Sequence, residues 1–150
     1  DAYAASKIAG EALVRSSSLR TVVLRMAGIA VPAFLEPPEV WPFTPGQRVE
    51  MVHRDDAVDA LFEAVNVPEA WDKVFNISGG ATWQLSGRDY ASDFYGFLGA
   101  PVEDAVYRDT PGWMDWYDTE ESQEILKYQR RSYEHYCTEM KDLVRLLMAG

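Results

Sequence analysis

A tyrosine and a lysine stand four residues apart near the start of the sequence, Tyr3 and Lys7, within a helix-forming segment rich in alanine. Side chains four residues apart on a helix lie over each other, so the two can face one reaction partner. A cation beside a phenol favours the phenolate, which makes tyrosine usable as a general acid or base near neutral pH. The pair predicts a proton-transfer site. The spacing by itself also fits two helix neighbours with no shared role.

The helix that would carry this pair is predicted from about Ala2 to about Ser17. Its apolar residues recur at three and four spacing and predict a stripe that faces inward, made of Ile8, Ala12 and Leu13 with Ala5 and Ala9. Gly10 lies in the middle of it, where glycine costs up to about 1 kcal/mol relative to alanine. It either lets a backbone or a cofactor come close or is simply tolerated.

A buried strand is predicted directly after this helix, from Leu19 to Arg25, because the run is continuous and rich in β-branched residues. A helix followed by such a strand indicates an α/β unit with parallel pairing. Small and flexible residues follow, from Met26 to Pro32. They lie at the carboxyl end of the strand, where open α/β sheets place their ligand crevice.

The middle of the chain alternates irregular and regular segments. Four prolines predict no regular structure for most of the segment from Ala33 to Gly46, and its aromatic residues either cover a core, which is favoured, or line a pocket mouth. Gln47 to His53 is predicted as a short strand, and Asp55 or Asp56 as the cap of the helix that follows. His53 fits either a catalytic group or a hydrogen-bonding structural residue, and the corner between a strand and a helix favours the structural role.

The remainder continues the α/β pattern and predicts a single domain over residues 1–150. Lys73 to Ser78 predicts another buried strand, and Gly79-Gly80 a turn, since the Walker and dinucleotide-loop patterns are missing there. The other predicted elements are a helix capped by Ser86 and ended by Gly99, a short edge strand from Val102 to Arg108, a helix opened by Asp118 to Glu121, and an amphipathic helix from Ser132.

Composition narrows the class of protein. With 150 residues, 47% of them hydrophobic, the chain is long enough for a folded domain with a core. A formal net charge of -10 argues against nucleic-acid binding, because a polyanion would be repelled. No apolar run is long enough to span a bilayer, and the amino terminus lacks a secretion-signal pattern. The single cysteine, Cys137, suits a reducing compartment, so we expect a cytoplasmic protein without membrane contacts.

Five landmarks occur in one order along the sequence. They are Tyr3-Ala4-Ala5-Ser6-Lys7-Ile8-Ala9-Gly10-Glu11, Val22-Val23-Leu24-Arg25, Met51-Val52-His53-Arg54-Asp55-Asp56-Ala57, Val74-Phe75-Asn76-Ile77-Ser78-Gly79-Gly80, and Trp116-Tyr117-Asp118-Thr119 with Leu126-Lys127-Tyr128-Gln129. In this order they resemble the carboxyl-terminal half of an extended short-chain dehydrogenase/reductase, the NAD-dependent epimerase/dehydratase family. The first looks like the Tyr-x-x-x-Lys helix of that family, and the others resemble its later strand ends, turns and helices.

The resemblance implies a fold and a chemistry. The fold is the last part of a Rossmann-like NAD(P)-binding domain with a small α/β substrate lobe. Tyr3 would give or take a proton at a substrate hydroxyl or carbonyl, while Lys7 would bind the nicotinamide ribose and assist the tyrosine. By position, Met26 and Ala27 would lie beside the nicotinamide of NAD or NADP. The residues near a small-molecule substrate would be Ile29, Ala30, Val31 and Pro32.

The sequence also departs from the family pattern. The glycine-rich phosphate loop and the catalytic serine or threonine precede the tyrosine in the family, and no equivalent follows it here. Met26 replaces the expected proline, and Ala30-Val31 the usual Tyr-Gly. We therefore expect half of an active site, inactive and without bound cofactor when alone, and completed by a homo-oligomer or by the missing amino-terminal half. The alternatives are a non-catalytic sensing or scaffolding relative and an unrelated α/β interaction domain.

Overall fold

The computed structural model describes residues 2–33 and 36–149, and it has five helices and six short strands within those ranges. Three 3₁₀ turns, Pro68–Ala70, Ala81–Trp83 and Val102–Asp104, connect them. In chain order the elements are α1 (Ala2–Arg15), β1 (Val23–Met26), β2 (Gly28–Ala30), β3 (Arg48–Val49), β4 (Met51–His53), α2 (Arg54–Asn66), β5 (Val74–Ile77), β6 (Leu85–Ser86), α3 (Gly87–Leu98), α4 (Glu120–Leu126) and α5 (Tyr133–Met148).

The strands form three two-stranded pairs. β1 runs parallel to β5 with Val23 opposite Val74, and β2 runs parallel to β4 with Gly28 opposite Met51. β3 pairs with β6 in the antiparallel sense. Parallel strand pairs in a chain that also forms helices are the α/β arrangement that the sequence predicts, and the fold class is confirmed.

Two apolar cores lie on either side of β4. The larger core is aromatic and packs α3 and α5 against the chain segment that includes Trp41 and Phe43. The smaller core lies under α2 and is built from short side chains of that helix together with β5 and the end of α4. Trp41 and Phe43 are almost fully buried, so the irregular proline-rich segment covers a core over its described residues, as predicted. Phe34 and Leu35, which belong to the same prediction, lie outside the described residues.

Helix ends follow local sequence signals in three cases. Ser86 caps α3 and Ser132 caps α5 through their hydroxyl oxygens, while Gly99 ends α3 in the left-handed conformation at a φ of 65°. The predicted cap of α2 is wrong. His53 is the cap instead, since its Nδ1 accepts a hydrogen bond from the backbone nitrogen of Asp55 at 3.1 Å.

The predicted strand from Gln47 to His53 is divided in two at Glu50. The Glu50 side chain is fully buried and accepts hydrogen bonds from the backbone nitrogens of Gly80 and Tyr117. A buried carboxylate has to be satisfied in this way, and its donors lie in loops on either side. The chain therefore leaves the β3 pairing at this residue and enters the β4 pairing.

Two further strand predictions need correction. The edge strand from Val102 to Arg108 is wrong over most of its length, because Val102–Asp104 forms a 3₁₀ turn after Pro101 and only Tyr107 makes a bridge, with Trp41. The strand predicted from Leu19 begins only at Val23. Its pattern is half-buried rather than buried on both faces.

The predicted inward stripe of α1 is also wrong for the chain as it stands. None of the described residues of α1 is buried, and the side chains of Ile8 and Leu13 are 71% and 73% exposed. The helix periodicity is real, but the described residues contain no element that covers this face. Within the same residues, no helix is both long enough and apolar enough to cross a membrane.

Candidate functional site

A groove of about 780 Å³ runs between α1 and β1. One wall is the face of α1 that carries the tyrosine and the lysine, and the other is β1 with the residue before it. Its lining consists of Tyr3, Ser6, Lys7, Gly10, Glu11, Val14, Val22, Val23, Leu24, Arg25 and Met26. The groove thus joins the predicted proton-transfer pair to the carboxyl end of a parallel strand.

Tyr3 and Lys7 lie on the same face of α1. The Lys7 ammonium nitrogen is 5.3 Å from the centroid of the Tyr3 ring, a cation–π distance. Both side chains are exposed, with Tyr3 at 70%, so the phenol is open to a partner in the groove. Helix α1 is present and holds the pair on one face, whereas separate faces or a missing helix would have favoured an unrelated α/β interaction domain.

Of the residues predicted to lie beside a nicotinamide, the structure brings one to the pair. Met26 is the last residue of β1 and lines the groove with Tyr3 and Lys7. Ala27 follows it but is buried, and its backbone nitrogen donates to the carbonyl oxygen of Ile77 at 2.9 Å. Ala27 therefore fixes the end of the strand pair and does not line the groove.

The four residues predicted near the substrate lie beyond this groove. Ile29 and Ala30 belong to β2, where Ala30 is buried opposite His53 and the Ile29 side chain is 47% exposed. Val31 and Pro32 follow β2 and are half-buried. The described residues do not bring this group together with Tyr3 and Lys7, since none of the four lines the groove between α1 and β1.

The space above α1 is open at Gly10. A Cβ atom added to Gly10 would meet no atom within 4 Å, so the described chain itself makes no close approach there. No backbone of the described residues approaches Gly10, the approach of a cofactor there stays a prediction, and the free volume belongs to the groove. This leaves room along the helix face between Lys7 and Glu11.

Sequence reasoning missed an ion pair that borders the groove. Arg25 Nε donates to Glu11 Oε2 at 3.0 Å, and Arg25 Nη2 donates to Glu11 Oε1 at 2.7 Å. The hydrogen bond from Arg25 lowers the pKa of the Glu11 carboxyl below its usual range, and the same bond raises the pKa of Arg25. The available signal was the position of Glu11, one helical turn after Lys7 on the same face.

The residues present fit one end of a dinucleotide. An exposed phenol and an exposed ammonium beside open space are suited to bind ribose hydroxyls, which need donors and acceptors. The Gly79-Gly80 turn offers no phosphate loop, because the Gly80 amide already donates to the Glu50 carboxylate at 2.9 Å. Among residues 2–33 and 36–149, no cluster of histidine, cysteine or acidic side chains is arranged to hold a metal ion.

The fold is shared with solved NAD-bound proteins. A UDP-glucuronic acid 4-epimerase from Bacillus cereus, in complex with UDP-glucuronic acid and NAD, matches with 19% identity and a TM-score of 0.72, over 97% of this chain and 52% of that chain. A short-chain dehydrogenase/reductase superfamily protein from Agrobacterium tumefaciens with bound NAD matches with 17% identity and a TM-score of 0.77, over 99% and 59%.

A dTDP-glucose 4,6-dehydratase from Bacillus anthracis, in complex with NAD, is similar with 13% identity and a TM-score of 0.76, over 97% of this chain and 52% of that chain. The chain thus spans about half the length of the solved structures that it matches. No family model matches the sequence, and no curated protein does either. At these identities the likeness establishes the fold, and the predicted partial Rossmann-like fold of the epimerase/dehydratase type is confirmed.

Proposed function

We propose that the chain acts as the carboxyl-terminal half of an NAD(P)-dependent oxidoreductase, epimerase or dehydratase. The substrate class is a sugar-nucleotide-like molecule or another small molecule with an alcohol or carbonyl group. One observation carries the proposal: Tyr3, Lys7 and Met26 line a single groove at the carboxyl end of a parallel strand. The shared fold with NAD-bound epimerases and a dehydratase supports it.

In this proposal Tyr3 moves the proton. Its Oη takes a proton from a substrate hydroxyl, or returns one to a carbonyl oxygen, as general base and acid. Lys7 assists Tyr3 through its ammonium group, which lies 5.3 Å from the centroid of the Tyr3 ring. Because the two residues share one rigid helix, their separation does not depend on the rest of the chain.

A bound nicotinamide cofactor, NAD or NADP, would supply the hydride chemistry. Tyr3 and Lys7 would hold its ribose, with Met26 against the nicotinamide and Ala27 fixing the strand end from beneath. The sequence contains no glycine-rich phosphate loop, so we propose that the other end of the cofactor is held by polypeptide outside this chain. The 150-residue chain alone is then without cofactor and without activity.

The substrate would lie across the end of the neighbouring strand pair. Ile29 and Ala30 belong to β2, the parallel partner of β4, Val31 and Pro32 follow it, and the Ile29 side chain is about half exposed. We assign this segment to the side of the substrate that faces away from the cofactor. Because Ala30-Val31 replaces the usual Tyr-Gly, this segment lacks that tyrosine hydroxyl, which argues for an alcohol or carbonyl substrate over a nucleotide sugar.

A cofactor titration tests this function. The whole protein that contains this chain is titrated with NADH and with NADPH, and binding is followed by nicotinamide fluorescence. Lys7→Met removes a charged donor, so we expect binding to weaken roughly tenfold or more. Lys141→Met, an exposed lysine on α5, is the matched control and should bind as the unaltered protein does.

The outcomes separate the alternatives. Binding of neither cofactor would contradict the proposed function and favour the interaction domain. Binding that is insensitive to Lys7→Met would remove the lysine from the site. Binding that depends on Lys7, with no turnover of any alcohol, carbonyl or nucleotide-sugar substrate, would favour the non-catalytic sensing relative.

A further inference from the structure

Helix α1 is attached to the described chain in an unusual way. None of its described residues is buried, so no apolar side chain anchors the helix that carries Tyr3 and Lys7. A helix without a buried face gains little packing energy from the elements beside it. Within the described residues, its position over β1 therefore depends on polar contacts.

A bidentate ion pair provides such a contact. Glu11 belongs to α1 and Arg25 to β1, and two donor nitrogens of the arginine meet the two separate oxygens of the carboxylate, at 3.0 and 2.7 Å. A planar guanidinium paired with both oxygens restrains the distance and the angle between the two elements. The Glu11 side chain is 20% exposed and the Arg25 side chain 57% exposed, so the pair lies at the surface and depends on its bidentate geometry.

The ion pair lies where it can set the distance between the Tyr3–Lys7 face of α1 and the end of β1. Glu11 follows Lys7 by four residues and Tyr3 by eight, so the three lie along one face of α1. Arg25 directly precedes Met26, which lines the groove opposite the tyrosine and the lysine. Fixing Glu11 to Arg25 thereby fixes Tyr3 and Lys7 relative to the end of β1.

A second arginine offers an internal comparison. Arg15 Nη1 lies 3.7 Å from Glu11 Oε1, but both residues belong to α1 and are one turn apart. This contact can stabilise the helix and cannot hold it against the strand. Arg25 thus makes the contact that crosses between the elements, and Arg15 does not.

We propose that Glu11 and Arg25 are positioning residues. They hold α1, which carries Tyr3 and Lys7, at a fixed position relative to β1, so that Tyr3 is placed for proton transfer. The catalytic part of this inference rests on the proposed function. The structural part does not, because it concerns only the attachment of α1 to β1. The two parts therefore call for two measurements.

The first measurement is amide hydrogen exchange in the whole protein, resolved by residue. Glu11→Gln keeps the shape of the side chain and removes its charge, while Arg25→Lys keeps the charge and removes the bidentate geometry. We expect exchange within α1 to become roughly three- to tenfold faster in either variant. Arg15→Gln should leave the rate of hydrogen exchange in α1 within about twofold of the rate in the unaltered protein. A surface ion pair within one helix contributes little more stability than that.

Equal exchange of α1 in Glu11→Gln, Arg25→Lys and the unaltered protein would overturn the inference. So would an effect of Arg15→Gln as large as that of Glu11→Gln, since helix stability within α1 would then explain both. The double variant Glu11→Arg with Arg25→Glu restores an ion pair between α1 and β1 with the two charges swapped. It should recover part of the lost protection, whereas a general loss of folding would not be recovered.

The second measurement is steady-state turnover with cofactor and substrate. If Glu11→Gln or Arg25→Lys displaces α1, we expect kcat to fall roughly tenfold. The KM for the substrate should stay within a factor of about three, because the proposed substrate segment, residues 29–32, is unaltered. If Tyr3→Phe turns over normally, the proposed function fails. Hydrogen exchange alone then tests whether Glu11 and Arg25 hold α1 against β1. If Tyr3→Phe is inactive while Glu11→Gln is fully active, the proposed function stands and the positioning inference fails.

Discussion

Buried tyrosines are the residues whose chemistry the fold changes most clearly. Tyr90 and Tyr133 are each less than a tenth exposed and pack within the aromatic core between α3 and α5. Burial raises the pKa of Tyr133 far above its usual range, and the Asp93 carboxylate, which accepts a hydrogen bond from its hydroxyl at 3.1 Å, raises it further. Burial also raises the pKa of Tyr90. Both phenols therefore stay protonated while the protein is folded.

This gives a prediction about alkaline pH. A phenol whose pKa is higher in the folded state than in the unfolded state, where it is about 10, contributes stability that is present below pH ~10 and is lost as the pH rises above it. We expect the free energy of unfolding in urea to fall steeply between about pH 10 and pH 12, with each buried phenol adding up to about 1.4 kcal/mol per pH unit. Tyr133→Phe should have a shallower slope over that interval. Identical slopes for the two proteins would contradict this account.

At the scale of the element, helix α2 depends on a histidine at its start. His53 is fully buried, caps α2 through Nδ1 and lies 2.7 Å from Glu139 of α5 through Nε2. With Nδ1 accepting from the Asp55 backbone, the proton is on Nε2 and points to the carboxylate. One side chain thus joins α2 to α5, which agrees with the structural role that the sequence favoured for His53.

Two substitutions of His53 distinguish its contribution as the cap of α2 from the contribution of its contact with α5. His53→Ala removes both and leaves a cavity, so we expect the free energy of unfolding to fall by about 2 to 4 kcal/mol. His53→Asn supplies a capping oxygen again and should recover about 1 kcal/mol of that loss. Urea unfolding followed by circular dichroism measures both. A His53→Ala loss no larger than that of Ser132→Ala, which removes only the cap of α5, would show that the Glu139 contact contributes nothing.

Local signals in the sequence predict much of this level of structure. Ser86, Ser132 and Gly99 act through bonds to residues within a turn, so their roles are visible in the sequence alone. The strand break at Glu50 is not visible in the sequence, because the backbone nitrogens that donate to the Glu50 carboxylate lie 30 and 67 residues further along the chain. The cap of α2 was missed for a related reason, since aspartate is the commoner capping residue and the burial of His53 comes from distant elements.

At the scale of the whole molecule, one side of the fold is left uncovered. Among the described residues β1 pairs with β5 alone, and the helix over it buries no side chain. A second exposed apolar stripe runs along α2 at helical spacing, formed by Val58, Leu61, Phe62 and Val65. The candidate site shows the same incompleteness. Spacing singled out Tyr3 and Lys7 and the family resemblance added Met26, and the three line one groove, but no pattern within this chain can supply the surfaces that would close the groove around them.

Uncovered surfaces of this kind predict association. We expect the 150-residue chain to form a dimer or a larger assembly in solution, because exposed strand edges and apolar helix faces pair readily. Small-angle scattering with light scattering would measure its molar mass across a concentration series. Leu13→Lys, on the exposed face of α1, should shift the mass towards the monomer. A monodisperse monomer of the unaltered chain at every concentration would contradict the prediction.

The central claim is that Tyr3 transfers the proton, and the turnover of Tyr3→Phe tests it most directly. The variant keeps the ring beside Lys7 and removes only the hydroxyl. In the whole protein, with its preferred nicotinamide cofactor and the best substrate of a panel of nucleotide sugars, alcohols and carbonyl compounds, we predict that kcat falls by about 100-fold or more. Cofactor affinity should change much less than kcat. Unaltered turnover by Tyr3→Phe would remove the tyrosine from the mechanism and contradict the account.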